Sequence, residues 1–372
     1  MTELAPIRGG AAARPLPAAL PVGCNGRGAQ ASSPARPVSF AEQPLAEQFA
    51  MVAEAGVFDF FDRLPMEGEV DTFRALSAAN ALPAFTASGV YALGPGYLPA
   101  LRANMARAAA AGAKFHNMMV FAWHTGGRWV TDDEVIRAWA EAWEAGEAAG
   151  IEPCFELHVN MWSEDPRRVA VAARAADRMG IPFNLTLDYS HMLFKMGDAE
   201  ELDISGIRDD VETGRVVLDP YLPGNLVDEW LEMGIVRWFQ LRAVAPAGPR
   251  NLWSTHDSGN GAAGVPDDPH QRAREGRPGR AILYPFAQPA PGEWHSPWEA
   301  WRLEPCKHVA RKVLRHHAET PGSRLAVITT EMINLTDYGD GAKFSLIGQN
   351  AAIAAFLRAE MRSLGIPEGL PS

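Results

Sequence analysis

Residues 151–194 read IEPCFELHVNMWSEDPRRVAVAARAADRMGIPFNLTLDYSHMLF, and the fold follows from them. Two short apolar segments flank one Ala- and Arg-rich helical segment, and each apolar segment ends in a polar cluster. In the first, Glu156, His158 and Asn160 alternate with Leu157 and Val159. The period of two in a strand puts these three polar side chains on one face and the apolar pair on the other. The second segment, PFNLTLDYSH, is too apolar for a wet surface, yet it runs into Asp188 with His191 three residues on. The spacing predicts a strand, a helix and a second strand, with the chemistry gathered at one end.

Taken singly these residues say little. A carboxylate ending a buried strand is most often a cap or half of an ion pair, and a strand histidine is most often a satisfied core residue. The arrangement recurs downstream, however, in RWFQLRAV with Gln240 and Arg242 and in RLAVITTEMINL with Glu331. Four oxygen-bearing groups set in apolar strands are costly to bury alone, so a shared partner is expected.

Outward from this unit, apolar strand patterns fall at 20–27, 57–65, 83–93, 114–124, 235–244 and 324–333. Helical spacing falls at 40–56, 69–82, 97–113, 131–150, 225–234, 298–320 and 345–365, with an irregular stretch from Asp188 to Pro223. Eight strands alternating with eight helices predict an α/β fold, a (β/α)8 TIM barrel. An open doubly wound sheet would carry a GxGxxG turn after its first strand, and GCNGRG lacks that spacing. In a barrel the C-terminal strand ends share one mouth, where Glu156, Asp188, Gln240 and Glu331 all fall. Residues 1–19 read as a flexible extension and 20–372 as a single barrel. Residues 245–297, the longest irregular segment, read as a lid or a subunit contact after strand seven, with Trp253, His256, Trp294 and His295 able to pack on a ligand.

Composition narrows the function. At 47% hydrophobic and 21% charged the chain is an ordinary globular protein, without the run of about 20 apolar residues a membrane helix needs. A formal net charge of -11 opposes a polyanion, so no nucleic-acid partner is expected. Three scattered cysteines, Cys24, Cys154 and Cys306, argue against a disulfide framework and fit a reducing cytoplasm. The first 38 residues have no apolar core of a secretory leader.

Together these residues resemble the xylose-isomerase-like TIM-barrel superfamily, over about residues 20–365. The resemblance implies one divalent ion held by a glutamate on strand five, an aspartate on strand six, a histidine on strand seven and a glutamate on strand eight. The matching positions look like Glu156, Asp188, Gln240 and Glu331. The DxxH pattern of Asp188 and His191 implies that His191 contacts substrate, and Arg242 looks like a substrate-oxygen contact. The departure is Gln240, which stands where the epimerases of the superfamily have histidine. An all-oxygen set suits Mn2+ or Mg2+ better than Zn2+.

The function this implies is a metal-dependent isomerase or epimerase of a sugar or keto-polyol, acting through an enediolate. Glu156 and Glu331 would exchange the proton on opposite faces. The alternative is a lyase on the same site, a keto-inositol-type dehydratase or a keto-glycoside-cleaving enzyme, since dehydratase members resemble the glutamine-containing set. His191, with an ordinary pKa of about 6.5, would then be the acid for the departing hydroxide. His158 and Asn160 would touch substrate or support the ligands. The expected partner is a small carbohydrate or keto-polyol, with a homo-oligomer possible.

Overall fold

The computed structural model describes residues 17–254 and 280–371. Residues 1–16, most of the expected extension, and residues 255–279, the middle of the expected insertion with His256, lie outside the described residues. The chain runs β1 (Val22–Asn25), α1 (Leu45–Ala55), β2 (Phe60–Asp62), α2 (Val70–Asn80), β3 (Thr86–Tyr91), α3 (Tyr97–Ala111), β4 (Phe115–Val120), α4 (Asp132–Ala149), β5 (Glu152–Glu156) and α5 (Arg167–Arg178). It continues through β6 (Leu185–Asp188), α6 (Ser190–Leu193), α7 (Ala199–Ile204), α8 (Arg208–Glu212), α9 (Leu226–Glu232), β7 (Val236–Leu241), α10 (Glu304–Glu319), β8 (Val327–Thr330) and α11 (Leu346–Ser363).

The eight strands pair in parallel in the order β2, β1, β8, β7, β6, β5, β4, β3. A bridge between Phe61 and Ala84 brings β2 to β3 and nearly closes the circle. This is the (β/α)8 barrel the alternation predicts. Local chemistry sets the helices: α4 starts at a capping box in which Thr131 and Glu134 bond each other's backbone, and it stops at Gly150 with φ 70°. In α5 the buried stripe is Val169, Ala170, Ala172, Ala173, Ala175 and Ala176, and such small side chains let the helix lie close on the sheet.

Two departures from the sequence pattern bear on the site. The stretch after Asp188 holds α6, α7 and α8, and Asp198 caps α7 by accepting from the Glu201 N–H. The strand alternation stops at Glu156: Asn160 lies in a left-handed turn, φ 66°, with its N–H on Glu164 at 2.5 Å. The face shared by Glu156, His158 and Asn160 therefore does not exist as a strand face.

Inside the barrel, Phe60, Phe85, Phe115, Cys154, Trp238 and Val327 form an apolar floor separate from the larger core between strands and helices. Alternation then places the next inward residues above it: Asp62 after Phe60, Asn117 after Phe115, Glu156 after Cys154 and Gln240 after Trp238. Gly23 is required opposite the floor, because a Cβ there would overlap the Phe60 ring. A polar layer thus rests on a dry base.

Candidate active site

Glu156 ends β5, Asp188 ends β6, Gln240 faces Asp188 in register on β7, and Glu331 follows β8 with its N–H on the Leu241 carbonyl at 3.2 Å. One carboxylate oxygen each from Glu156, Asp188 and Glu331 lie within 4.8 Å of one another, and all three residues are buried. Ligand atoms of Glu156, His158 and His191 form a second, overlapping group within the same 4.8 Å limit.

Each carboxylate has a different escort. Asp188 is the best supported: Arg242 Nε and Nη2 donate to its Oδ2 at 3.3 Å, and the Ser190 N–H donates to Oδ1 at 3.0 Å, joined there by the Ser190 hydroxyl. His191 Nε2 lies 3.2 Å from the same Oδ2. Burial pushes the Asp188 carboxyl up, but Arg242, His191 and Ser190 outweigh it and hold the group below the usual range. Glu156 accepts from the Asn117 amide through Oε2. Burial, then the charge of Asp188, raises Glu156 well above a normal glutamate despite that bond. Glu331 is raised likewise by burial, then by Glu156 and Asp188.

The expectation that His191 serves substrate meets a different geometry. His191 is fully buried, with Arg242 Nη2 2.9 Å from Nε2 and 3.1 Å from Nδ1, and the Val159 N–H 3.4 Å from Nδ1. The neutral tautomer with its proton on Nε2 donates to Asp188 and leaves Nδ1 to accept from Arg242 and Val159. Burial, then His158 and Arg242, push its pKa well below the ordinary value, so it stays neutral. In this position it is placed to hold Asp188.

His158 is the histidine at the cavity wall. Its Nδ1 donates to the Val159 carbonyl at 2.5 Å, so Nε2 accepts from the Tyr338 hydroxyl at 2.7 Å. Burial brings its pKa down to about 4. Tyr338 also lies under the Arg242 guanidinium, 4.2 Å from ring centre to Cζ. The loop carrying Tyr338 is pinned by the described flanks of the expected lid: Asn251 Nδ2 donates to the carbonyls of Tyr338 and Asp340 at 3.0 and 2.9 Å, and Ser254 Oγ to Thr336 at 2.6 Å.

Sequence reasoning missed Asn117 and Tyr338. Asn117 on β4 bonds Glu156 and also donates to Gln240 Oε1 at 3.4 Å, which leaves Asn117 Oδ1, Glu156 Oε1 and Gln240 Nε2 buried and unpartnered among the described residues. Its signal in the sequence was one polar residue at an inward position of FHNMMV. Asp62 and Asn25 add polar groups at the ends of β2 and β1; Asp62, raised to about 7 by burial against its bond from Thr86, accepts that bond at 2.7 Å.

With all three ionised and both histidines neutral, the carboxylates would exceed the single charge of Arg242 by two, and burial opposes this by driving Glu156 and Glu331 to keep their protons. A divalent cation balances that excess, and the orphaned oxygen of Glu156 is a donor without another use. The residues therefore fit a hard divalent ion. A cavity of about 370 Å³ opens from Glu331 and His158 toward the ends of β2 and β3. A larger one, about 470 Å³, lies beside Trp162 and Arg168 and holds none of the candidate residues, so the chemistry is assigned to the smaller.

No family model matches this chain, and no curated protein matches it. Among solved structures it is similar to a xylose isomerase domain-containing protein from Salmonella typhimurium LT2, at 13% identity and TM-score 0.50 over 92% of this chain and 96% of that one. It is also similar to D-allulose 3-epimerase from Methylomonas sp., at 10% identity and TM-score 0.50 over 93% and 99%. D-psicose 3-epimerase from Clostridium cellulolyticum H10, solved with D-tagatose, matches at 9% identity and TM-score 0.50 over 92% and 99%. The chain has the fold of the xylose-isomerase-like TIM barrels.

Proposed function

We propose that the protein is a divalent-metal-dependent isomerase or epimerase of a carbohydrate or keto-polyol. The observation that carries this reading is the convergence of Glu156, Asp188 and Glu331 within 4.8 Å, with Glu331 lining a cavity. The sugar epimerases among solved structures of the same fold support it. Glu156, Asp188 and Glu331, with the amide oxygen of Gln240, would hold one ion, Mn2+ or Mg2+. Bound there, such an ion polarises a substrate carbonyl and acidifies the neighbouring C–H.

The side chains do the rest. Glu156 ends β5 and Glu331 follows β8, so the two carboxylates would reach a bound substrate from different sides of the cluster. One takes the proton and the other returns one from the opposite side, which inverts the carbon or moves the carbonyl. Asp188, locked by Arg242, His191 and Ser190, stays ionised and keeps the cluster in place. His158, at the cavity wall, would contact a substrate oxygen, and Arg242 would hold Asp188 from behind.

The test is incubation of the Mn2+-loaded protein with ketoses and keto-inositols in D2O. Deuterium should enter at the carbon beside the carbonyl with no net loss of water, and Glu331→Gln should abolish the exchange without unfolding the protein. Loss of water or of a glycosidic substituent would make the enzyme a lyase instead, and absence of exchange on every ketone would refute proton transfer at this site.

A further inference from the structure

Among the described residues the barrel wall has one gap. β2 ends at Asp62, and past the Phe61–Ala84 bridge the C-terminal half of β3 has no strand beside it on that edge. The cavity that begins at Glu331 and His158 runs into this gap, with Asp62 and Met66 on one side and Ser88 and Val90 on the other. Its chemistry changes along its length. At the inner end Asp62 is buried and Ser88 Oγ is buried without a partner among the described residues. At the outer end Met66 is 55% exposed and Val90 51% exposed. Single exposed apolar residues need no explanation, but these two line one cavity that reaches Glu331. Three arginines also line the cavity: Arg27 and Arg63 share Glu42, at 3.0 and 2.5 Å, and Arg107 donates to Asn104 at 2.7 Å.

We propose that this gap seats an apolar substituent, so that the substrate is a sugar or polyol ring carrying an aryl or alkyl group rather than a free monosaccharide. The inference rests on the proposed function in one respect, that the reacting ring occupies the carboxylate end. With the ring there, its outer hydroxyls meet Asp62 and Ser88, and whatever extends from it lies between Met66 and Val90. A volume of about 370 Å³ falls within the usual range of small-molecule sites, roughly 300–1,000 Å³. Covering the two exposed side chains with an aromatic ring removes apolar surface from water on both partners, enough for about a tenfold gain in affinity.

Calorimetric titration of the Mn2+-loaded protein with methyl β-D-glucopyranoside, phenyl β-D-glucopyranoside and methyl β-D-glucuronide tests this without turnover. The phenyl glycoside should bind at least about tenfold more tightly than the methyl one. That ratio should collapse toward one in Met66→Asp and Val90→Asp, whose exposed positions should leave the melting temperature unchanged. Equal affinities, or a ratio intact in both variants, would overturn the proposal. A preference for the glucuronide would transfer specificity to Arg107, which lines the same cavity, and would overturn it too. So would a change of mass in solution on Met66→Asp with the ratio preserved, because the lip would then be a subunit contact. A protein with the phenyl preference that exchanges no proton on any ketone would leave the gap assigned and refute the reaction; the converse result would do the reverse.

Discussion

Asn117 and His191 never need to touch a substrate to matter, because each holds a carboxylate that would hold the ion. Asn117 fixes Glu156 through one oxygen and leaves the other free, and His191 shares Asp188 with Arg242. Residues in such supporting roles typically cost 10- to 100-fold in metal affinity when removed. Asn117→Ala and His191→Ala are each expected to weaken Mn2+ binding by about that factor, measured by titration under equilibrium conditions. A His191→Ala protein with parental affinity and a turnover lowered by about 100-fold or more would return His191 to the acid role its DxxH spacing suggests. These two positions also show the reach of sequence reading at this scale. Glu156, Asp188 and Glu331 were legible as oxygen groups in apolar strands, whereas Asn117 was one amide among many, and the burial of His191 behind Asp188 is set by α6, a helix of four residues that no periodicity announces.

Among the elements, the connections after β5 and β6 place Trp162, Met192 and Leu202 in the core and are also tied together by ions. Glu164, Lys195, Glu201 and Arg280 are all buried. Arg280 Nη2 lies 2.5 Å from Glu164 and 2.8 Å from Glu201, while Lys195 Nζ lies 2.8 Å from Glu164. Burial lowers the Lys195 pKa, and the surrounding carboxylates oppose that shift. Removing one partner of such a buried pair leaves a charge without compensation, at a cost of roughly 3–5 kcal/mol. Arg280→Met is accordingly expected to lose about 3 kcal/mol of unfolding free energy in denaturant titrations. A loss below about 1 kcal/mol would show that water screens the network as it does at a surface. The backbone N–H of residue 280 donates to Asp337 at 2.5 Å, next to Tyr338, and Arg280→Met keeps that bond, so the loss should fall on stability and not on the wall of the active site.

For the molecule as a whole, the acid cluster makes stability depend on pH in a way the ion should reverse. Glu156 and Glu331 are raised well above the ordinary range and Asp62 to about 7, so the folded, ion-free chain keeps protons that the unfolded chain has released. Stability from these groups therefore falls as pH rises. His158, lowered to about 4, and His191 act in the opposite sense, but only up to about pH 6.5, above which unfolded histidines are already neutral. Asp188, held low, adds stability that is lost only as pH falls below about 4. Chelator-treated protein should thus lose melting temperature between about pH 6.5 and 8, and the gain on adding Mn2+ should grow across the same interval, since ion and protons compete for the same oxygens. Calorimetry at fixed ionic strength measures both. A chelated protein that gains stability over that range would contradict a buried, protonated cluster.

Period-two apolar runs alternating with helical spacing determined the barrel, and the placement of Glu156, Asp188, Gln240 and Glu331 at strand ends determined which mouth carries the polar layer, because strand direction and side-chain alternation are local properties of the chain. Only the tertiary structure decided that the alternation ends at Glu156, that His191 faces Asp188, that Asn117 and Tyr338 join the site, and that β2 and β3 part to leave a gap. Asn117 meets Glu156 at a separation of 39 residues and Tyr338 meets His158 at 180, while the Asn160 turn and the short α6 are local but aperiodic, so no regular period encodes any of them.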